Sequence, residues 1–165
     1  MDSIRRLATP ILTVGLLLIV VPIIDFVGNV WPLRPGAVDW RYGAIGILST
    51  FLLTPILGLV LVSVSAHATE RRWLLRVISF KSFAAGIALI IIIVAFALDA
   101  VQVRQTRAVD DRWVTVVSFI IASAKHGLAT ICLLVLGVST HRAARDFGHL
   151  DKKADRSATV VVGRT

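Results

Sequence analysis

The chain has 165 residues, 56% of them hydrophobic and only 17% charged, with a formal net charge of +8. That balance excludes an ordinary soluble domain, and the polar stretches between its apolar runs are too short to form a separate catalytic domain. Cys132 is the single cysteine, so no intrachain disulfide can form.

Four apolar runs, over 8–30, 42–66, 82–103 and 113–140, each supply the roughly 20 residues that a bilayer crossing needs. Backbone polar groups in lipid must be satisfied within their own segment, so these runs are helices. The expectation is an all-α, four-transmembrane-helix bundle. Residues 1–7 precede it, loops fall at 31–41, 67–81 and 104–112, and a basic tail covers 141–165.

The first run follows Arg5 and Arg6, as an apolar core follows the charged start of a secretory signal. Asp25-Phe26-Val27-Gly28-Asn29-Val30 makes a poor cleavage site, so the run reads as an uncleaved first helix. Pro22 predicts a kink within it. Asp25 falls near its far end, and Asp99 falls likewise on the third run. These carboxylates read either as merely interfacial or as caps on a shared polar feature, paired with Arg41 and Arg112.

The loop Trp31-Pro32-Leu33-Arg34-Pro35-Gly36 holds two prolines and a glycine and is expected to be compact and rigid. Trp31, Trp40 and Tyr42 are expected to form an aromatic belt at one membrane face. Trp113 would anchor the fourth helix there, and Trp73 the opposite face.

In the second run Gly46, Thr50, Thr54 and Gly58 recur at every fourth position. Residues four apart share a helix face, and small residues there let another helix approach closely. Pro55, beside this stripe, predicts a bend. The fourth run carries Ser118, Ala122, His126 and Thr130 at the same spacing, giving two matching seams. The third run, around Gly86–Phe96, is apolar all round and is expected to face lipid or a partner protein. Residues 67–81 are amphipathic and read as a short interfacial helix. Past His141 the chain turns polar, and the fourth helix is expected to fray by Gly148.

The chain also reads as one unit written twice. Ala37-Val38-Asp39-Trp40-Arg41-Tyr42 returns as Ala108-Val109-Asp110-Asp111-Arg112-Trp113, and Val64-Ser65-Ala66-His67 returns as Val138-Ser139-Thr140-His141. Two tandem helical hairpins, a 2+2 repeat, are the expectation.

Charge sets the expected orientation. Of the 18 Lys and Arg, Arg34, Arg41, Arg104, Arg107 and Arg112 fall on one side, Lys125 falls within a helix, and all the others fall on the opposite side. The positive-inside rule then places both termini in the cytoplasm. The net charge needs no nucleic-acid partner, since contact with anionic lipid heads accounts for it.

Two constellations are candidate sites. Lys125 and His126 form the strongly polar pair inside a helix, about 18 Å in from Trp113 at 1.5 Å per residue. A lysine at that depth costs roughly 2.5–3.5 kcal/mol and marks a functional site by default. The plainer reading has His126 bonded to Thr50 or Thr54 while Lys125 snorkels. His67 and His141 end the second and fourth helices at equal depth, the arrangement a bis-imidazole haem requires, or they are ordinary interfacial histidines. No nucleotide loop, nucleophile motif or metal-spaced Cys/His cluster appears, and the sequence requires no cofactor or metal.

The proline-containing loop followed by Asp39-Trp40-Arg41-Tyr42-Gly43, and then a small-residue-rich second helix, resembles uncharacterised four-helix inner-membrane proteins of Gram-negative bacteria. The resemblance covers helices one and two with their loop. It implies fold and location, a multi-pass protein of the bacterial inner membrane, and it carries no activity. Three functions follow as expectations. The first is a non-enzymatic accessory subunit of a larger, bioenergetic membrane complex, embedded in the lipid bilayer beside other membrane subunits. The second is a redox protein binding haem or a pigment through His126 or through His67 and His141. The third is a small transporter or channel using Lys125.

Overall fold

The computed structural model describes residues 2–106 and 112–162, and the side chains of 7–106 and 112–147. These residues form five helices: α1 (Asp2–Val30), α2 (Val38–Phe51), α3 (Leu53–Ala68), α4 (Arg72–Thr106) and α5 (Arg112–Val162). No strand occurs among the described residues. Segments of α1 (Leu7–Val30) and α5 (Arg112–Phe147), and the whole of α4, are long and apolar enough to cross a membrane. The α2–α3 pair makes a fourth crossing if counted as one span. This is the helix content of a multi-pass membrane protein. The side chains of the basic tail beyond Phe147, and residues 107–111 with the first four residues of the motif's second copy, lie outside what is described.

The second apolar run is not one helix. It breaks at Leu52 and bends by 43°. Pro55 is the cause: it has no N–H for the carbonyl of Phe51, four residues back, and its ring crowds that carbonyl. The next bond, from the Ile56 N–H to the Leu52 carbonyl, is stretched to 3.4 Å.

Residues 67–81 do not form a separate interfacial helix either. α3 closes at Ala68 and the chain reverses within three residues. The N–H groups of Thr69, Glu70 and Arg71 donate to the carbonyls of Ser65, His67 and Ala66. Glu70 takes the left-handed conformation, φ 54°, that so tight a reversal needs. From Arg72 onward the residues are the first turns of α4. Leu75, Ile78, Ser79 and Ser82 fall on one face at helical spacing and are buried. Leu75 and Ile78 pack with Val62, Ala66 and Ala144, so their apolar face meets protein instead of head groups. At the other end of the chain, α5 does not fray at Gly148 but continues to Val162.

The most extensive contacts join α4 to α5 and α1 to α3. Among the described residues, α2 and α3 both touch α4 and α5, whereas α1 touches α2 and α3 and neither of the others. α1 is therefore the outlying helix, a place the sequence had assigned to the third run. α4, which contains that run, is apolar all round but buries Leu89, Phe96, Asp99 and Val103 on one face and exposes Ile87, Ile91, Val94 and Leu98 on the other. A uniformly apolar helix gives no sign of which face packs, and here α5 decides it.

Gly15 of α1 and Gly58 of α3 mark the tightest crossing. A Cβ on Gly58 would lie 2.6 Å from the Gly15 carbonyl oxygen, and one on Gly15 would lie 2.9 Å from the Gly58 carbonyl oxygen. Only glycine permits such backbone-to-backbone contact. Close by, the Ser65 hydroxyl donates to the Ala8 carbonyl at 2.7 Å, and across the α4–α5 seam the Ser79 hydroxyl donates to the Gly137 carbonyl at 2.9 Å.

Candidate functional site

The bend at Leu52 opens a cavity of about 250 Å³ between α2–α3 and α5. Ser49, Thr50, Leu52, Leu53 and Ile56 line it from the bent span, and Lys125, Leu128, Ala129 and Cys132 line it from α5. Lys125, Leu128, Ala129 and Cys132 recur at three- and four-residue spacing and so share one face of α5. Along α5, Arg112 and Arg142 are about 45 Å apart at 1.5 Å per residue, close to the thickness of a bilayer with its head groups. Lys125 lies about 20 Å from Arg112, near the middle of that length.

Lys125 is exposed, and it makes no hydrogen bond or ion pair with a described residue. The surroundings it does have are apolar side chains and two hydroxyls. Thr50 uses its hydroxyl on the Ile47 carbonyl at 2.7 Å, and Ser49 uses its own on the Gly46 carbonyl at 2.6 Å. Among the described residues, the cavity lining thus holds one amine and no carboxylate.

His126, the next residue, points the other way and is fully buried, with 0% exposure. Its Nδ1 lies 2.7 Å from the Ala122 carbonyl oxygen. A carbonyl only accepts, so Nδ1 carries a proton. Nε2 is buried without a hydrogen-bond partner. The expected bond to Thr50 or Thr54 is not made, because α5 turns His126 toward α4, where its ring lies 6.4 Å from that of Phe96. Such a locked imidazole has the orientation of a metal or haem ligand, but it sits in packed core with no exposure. Among the described residues, no three His, Cys, Asp or Glu side chains come together in a metal-binding group.

Phe96 is the centre of an aromatic cluster. Tyr42 stacks on it at 4.8 Å and Phe119 lies at 5.2 Å. Tyr42, expected as an interfacial anchor, is instead buried, and its hydroxyl donates to the Thr115 carbonyl at 2.9 Å. Trp40 is half-buried and donates its Nε1–H to the Val30 carbonyl at the end of α1. Trp31, Trp73 and Trp113 are exposed.

Arg41 and Asp99 form a two-point pair, Nε to Oδ2 at 3.0 Å and Nη2 to Oδ1 at 2.6 Å, while Nη1 donates to the Pro35 carbonyl at 3.0 Å. One of the two foreseen carboxylates thus ties the first loop to α4. Asp25 is exposed on α1.

His67 and His141 are not brought together. His67 rests against Phe147, ring centres 5.2 Å apart. It shares a groove with Ser139, Arg142 and Ala143. His141 falls on the opposite face of α5 by the helical period and is exposed. The glycine–threonine stripe is likewise divided. Gly58 is buried against α1 and Thr54 is half-buried, but Thr50 is exposed and the space beside Gly46 is open. The bend at Leu52 lies between them and turns the two halves of the stripe apart.

Gly15 and Phe96 were not foreseen. The lone glycine in the Leu-Ile-Val run of α1 was the available signal for the first, while Phe96 is one apolar residue among many. No family model, no curated protein and no solved structure matches the chain.

Proposed function

We propose that the chain is a non-enzymatic accessory subunit of a larger membrane complex, held there by a contact between Lys125 and a carboxylate on a transmembrane helix of another subunit. The observation that carries this is the position of Lys125: midway along α5's apolar segment, exposed at the mouth of the bend cavity, and without a partner among the described residues. An ammonium in lipid is costly, and a carboxylate supplied from outside removes most of that cost. In this reading the fold is a four-helix bundle of two tandem hairpins in the bacterial inner membrane, with both termini cytoplasmic. The α1–α3 and α4–α5 pairings support the hairpins, and the charge distribution supports the orientation. The resemblance through Asp39-Trp40-Arg41-Tyr42-Gly43 supports the location.

Extraction of membranes in mild detergent tests the reading. It predicts a particle much larger than the 17.9 kDa chain, containing other proteins, from which Lys125→Leu is released. A second reading is a small transporter in which Lys125 receives an anion. The broken helix at Leu52 beside Lys125 favours it, since discontinuous helices line transport sites. It gains ground if native extraction yields only this chain and the reconstituted chain passes anions in a Lys125-dependent way.

A further inference from the structure

A second groove runs between α3 and α5 toward the Glu70 turn; its lining begins at Val60 and Leu136, one helical turn beyond Ile56 and Cys132 of the Lys125 cavity. One part, about 490 Å³, is walled by Val60, Val64, Leu136 and Ala143 among others, almost wholly apolar. His67, Ser139 and Ala143 are shared with an adjoining part of about 390 Å³, where Arg142, Asp146 and Phe147 complete the lining. From Leu136 to Ala143 the apolar part follows α5 for about 10 Å at 1.5 Å per residue, a length suited to part of an acyl chain. Its polar end lies at Arg142, at the depth expected of head groups from the spacing derived above for α5.

The polar end has two signs of charge. Arg142 and Asp146 are one helical turn apart on the same face, where such residues commonly pair. Both are exposed, and they form no ion pair with each other or with another described residue. Arg142 is flanked by the exposed imidazole of His67 and the hydroxyl of Ser139, all donors. Asp146 supplies acceptors only. A head group that is simply anionic would meet Arg142 favourably but oppose Asp146. A head group with a phosphate and, two carbons away, a primary ammonium would satisfy both.

We propose that this groove is a binding site for an ethanolamine phospholipid. An acyl chain lies along Val60, Val64 and Leu136, the phosphate is held by Arg142 with His67, and the ammonium is held by Asp146. Basic pockets between transmembrane helices bind lipid head groups by this kind of complementarity, and the carboxylate adds discrimination for the ammonium. The site is independent of the Lys125 contact, so either holds if the other fails.

The test is native mass spectrometry of the full chain in mild detergent. The protein is offered equal amounts of phosphatidylethanolamine, phosphatidylglycerol and phosphatidylcholine. Phosphatidylethanolamine is expected to be retained over both others, since phosphatidylglycerol has no ammonium and the trimethylated head of phosphatidylcholine cannot donate to Asp146. Asp146→Asn should lower the preference over phosphatidylglycerol about tenfold, the effect of one charge-assisted hydrogen bond. Arg142→Ala should lower retention of all three, and Val64→Phe, which fills the groove, should do the same. Soluble phosphoethanolamine, which lacks acyl chains, should fail to displace the lipid. Equal retention of the three lipids by the native chain, or an unchanged preference in Asp146→Asn, overturns the proposal. So does displacement by phosphoethanolamine, or a co-purified protein occupying the groove in place of lipid.

Discussion

Arg41 of α2 and Asp99 of α4 grip each other at two points, Nε to Oδ2 and Nη2 to Oδ1. The same guanidinium holds the Pro35 carbonyl. One side chain therefore fastens the loop after α1 and the start of the bent span to the second half of the molecule. Asp99 is 3% exposed, so it has no solvent to fall back on if Arg41 is lost.

Removing one partner of such a pair should hurt more than removing both. Arg41→Leu, which strands a buried carboxylate, is expected to lower the melting temperature in detergent. The double variant Arg41→Leu/Asp99→Leu should recover most of the loss. Thermal unfolding of the three variants checks this, and equal loss in the single and double variants would show that the pair is not coupled.

The Gly15–Gly58 crossing has no room for a side chain. Gly58→Leu should force α1 away from α3 and destabilise the protein by about 1–3 kcal/mol or more, the range for overpacked sites. Ile91→Leu, at an exposed position of α4, should be neutral. Chemical unfolding in detergent compares them, and equal stability would mean that α1 does not need this contact.

Tyr42→Phe keeps the stacking on Phe96 and deletes the hydroxyl that donates to Thr115. Interhelical hydrogen bonds in membrane proteins are worth about 0.6 kcal/mol on average, so a loss of that order is expected. Tyr42→Ala, which also empties the ring's place in the core, should cost about 3–5 kcal/mol. If the two variants unfold alike, the ring is not packed as described.

The bend follows from Pro55, and the cavity follows from the bend. Pro55→Ala restores an N–H for the Phe51 carbonyl and should straighten α2 and α3 into one helix. Cys132 lines the cavity and is exposed, so it reports the change without an added label. Its reaction with a lipid-permeable maleimide should slow several-fold in Pro55→Ala. An unchanged rate would place the origin of the bend elsewhere.

Much of the fold was legible in the sequence because lipid imposes strong rules on it. The helical content, and three to four helices long and apolar enough to cross a membrane, follow from apolar length alone. Pro55 announced a bend, and Asp99 was foreseen as a possible partner of Arg41. The misplaced features share one cause, which is that a face's partner is not encoded in the face. The turns from Arg72 to Lys81 looked interfacial because they are amphipathic, but α3 and α5 supply the apolar surface they cover. Tyr42 looked like an anchor because it stands at a span's edge, yet Phe96 and Thr115 draw it inward. The Gly46–Gly58 stripe was correct as a spacing and failed as a single surface, because Pro55 interrupts the helix between its two halves. At the candidate site, the place of Lys125 midway along an apolar run was plain from the sequence. Its neighbours across the cavity were not, since they depend on the bend.

The most direct test of the central claim is cross-linking at Lys125. A membrane-permeable carbodiimide joins an ammonium to a carboxylate in contact with it, adding no spacer. Applied to native membranes, it should yield an adduct of this chain with a different membrane protein, mapped by mass spectrometry to Lys125 and to an acidic residue in a transmembrane helix. The adduct should be absent in Lys125→Gln. If Lys125 forms no adduct, or joins only a second copy of this chain, the accessory-subunit account is contradicted.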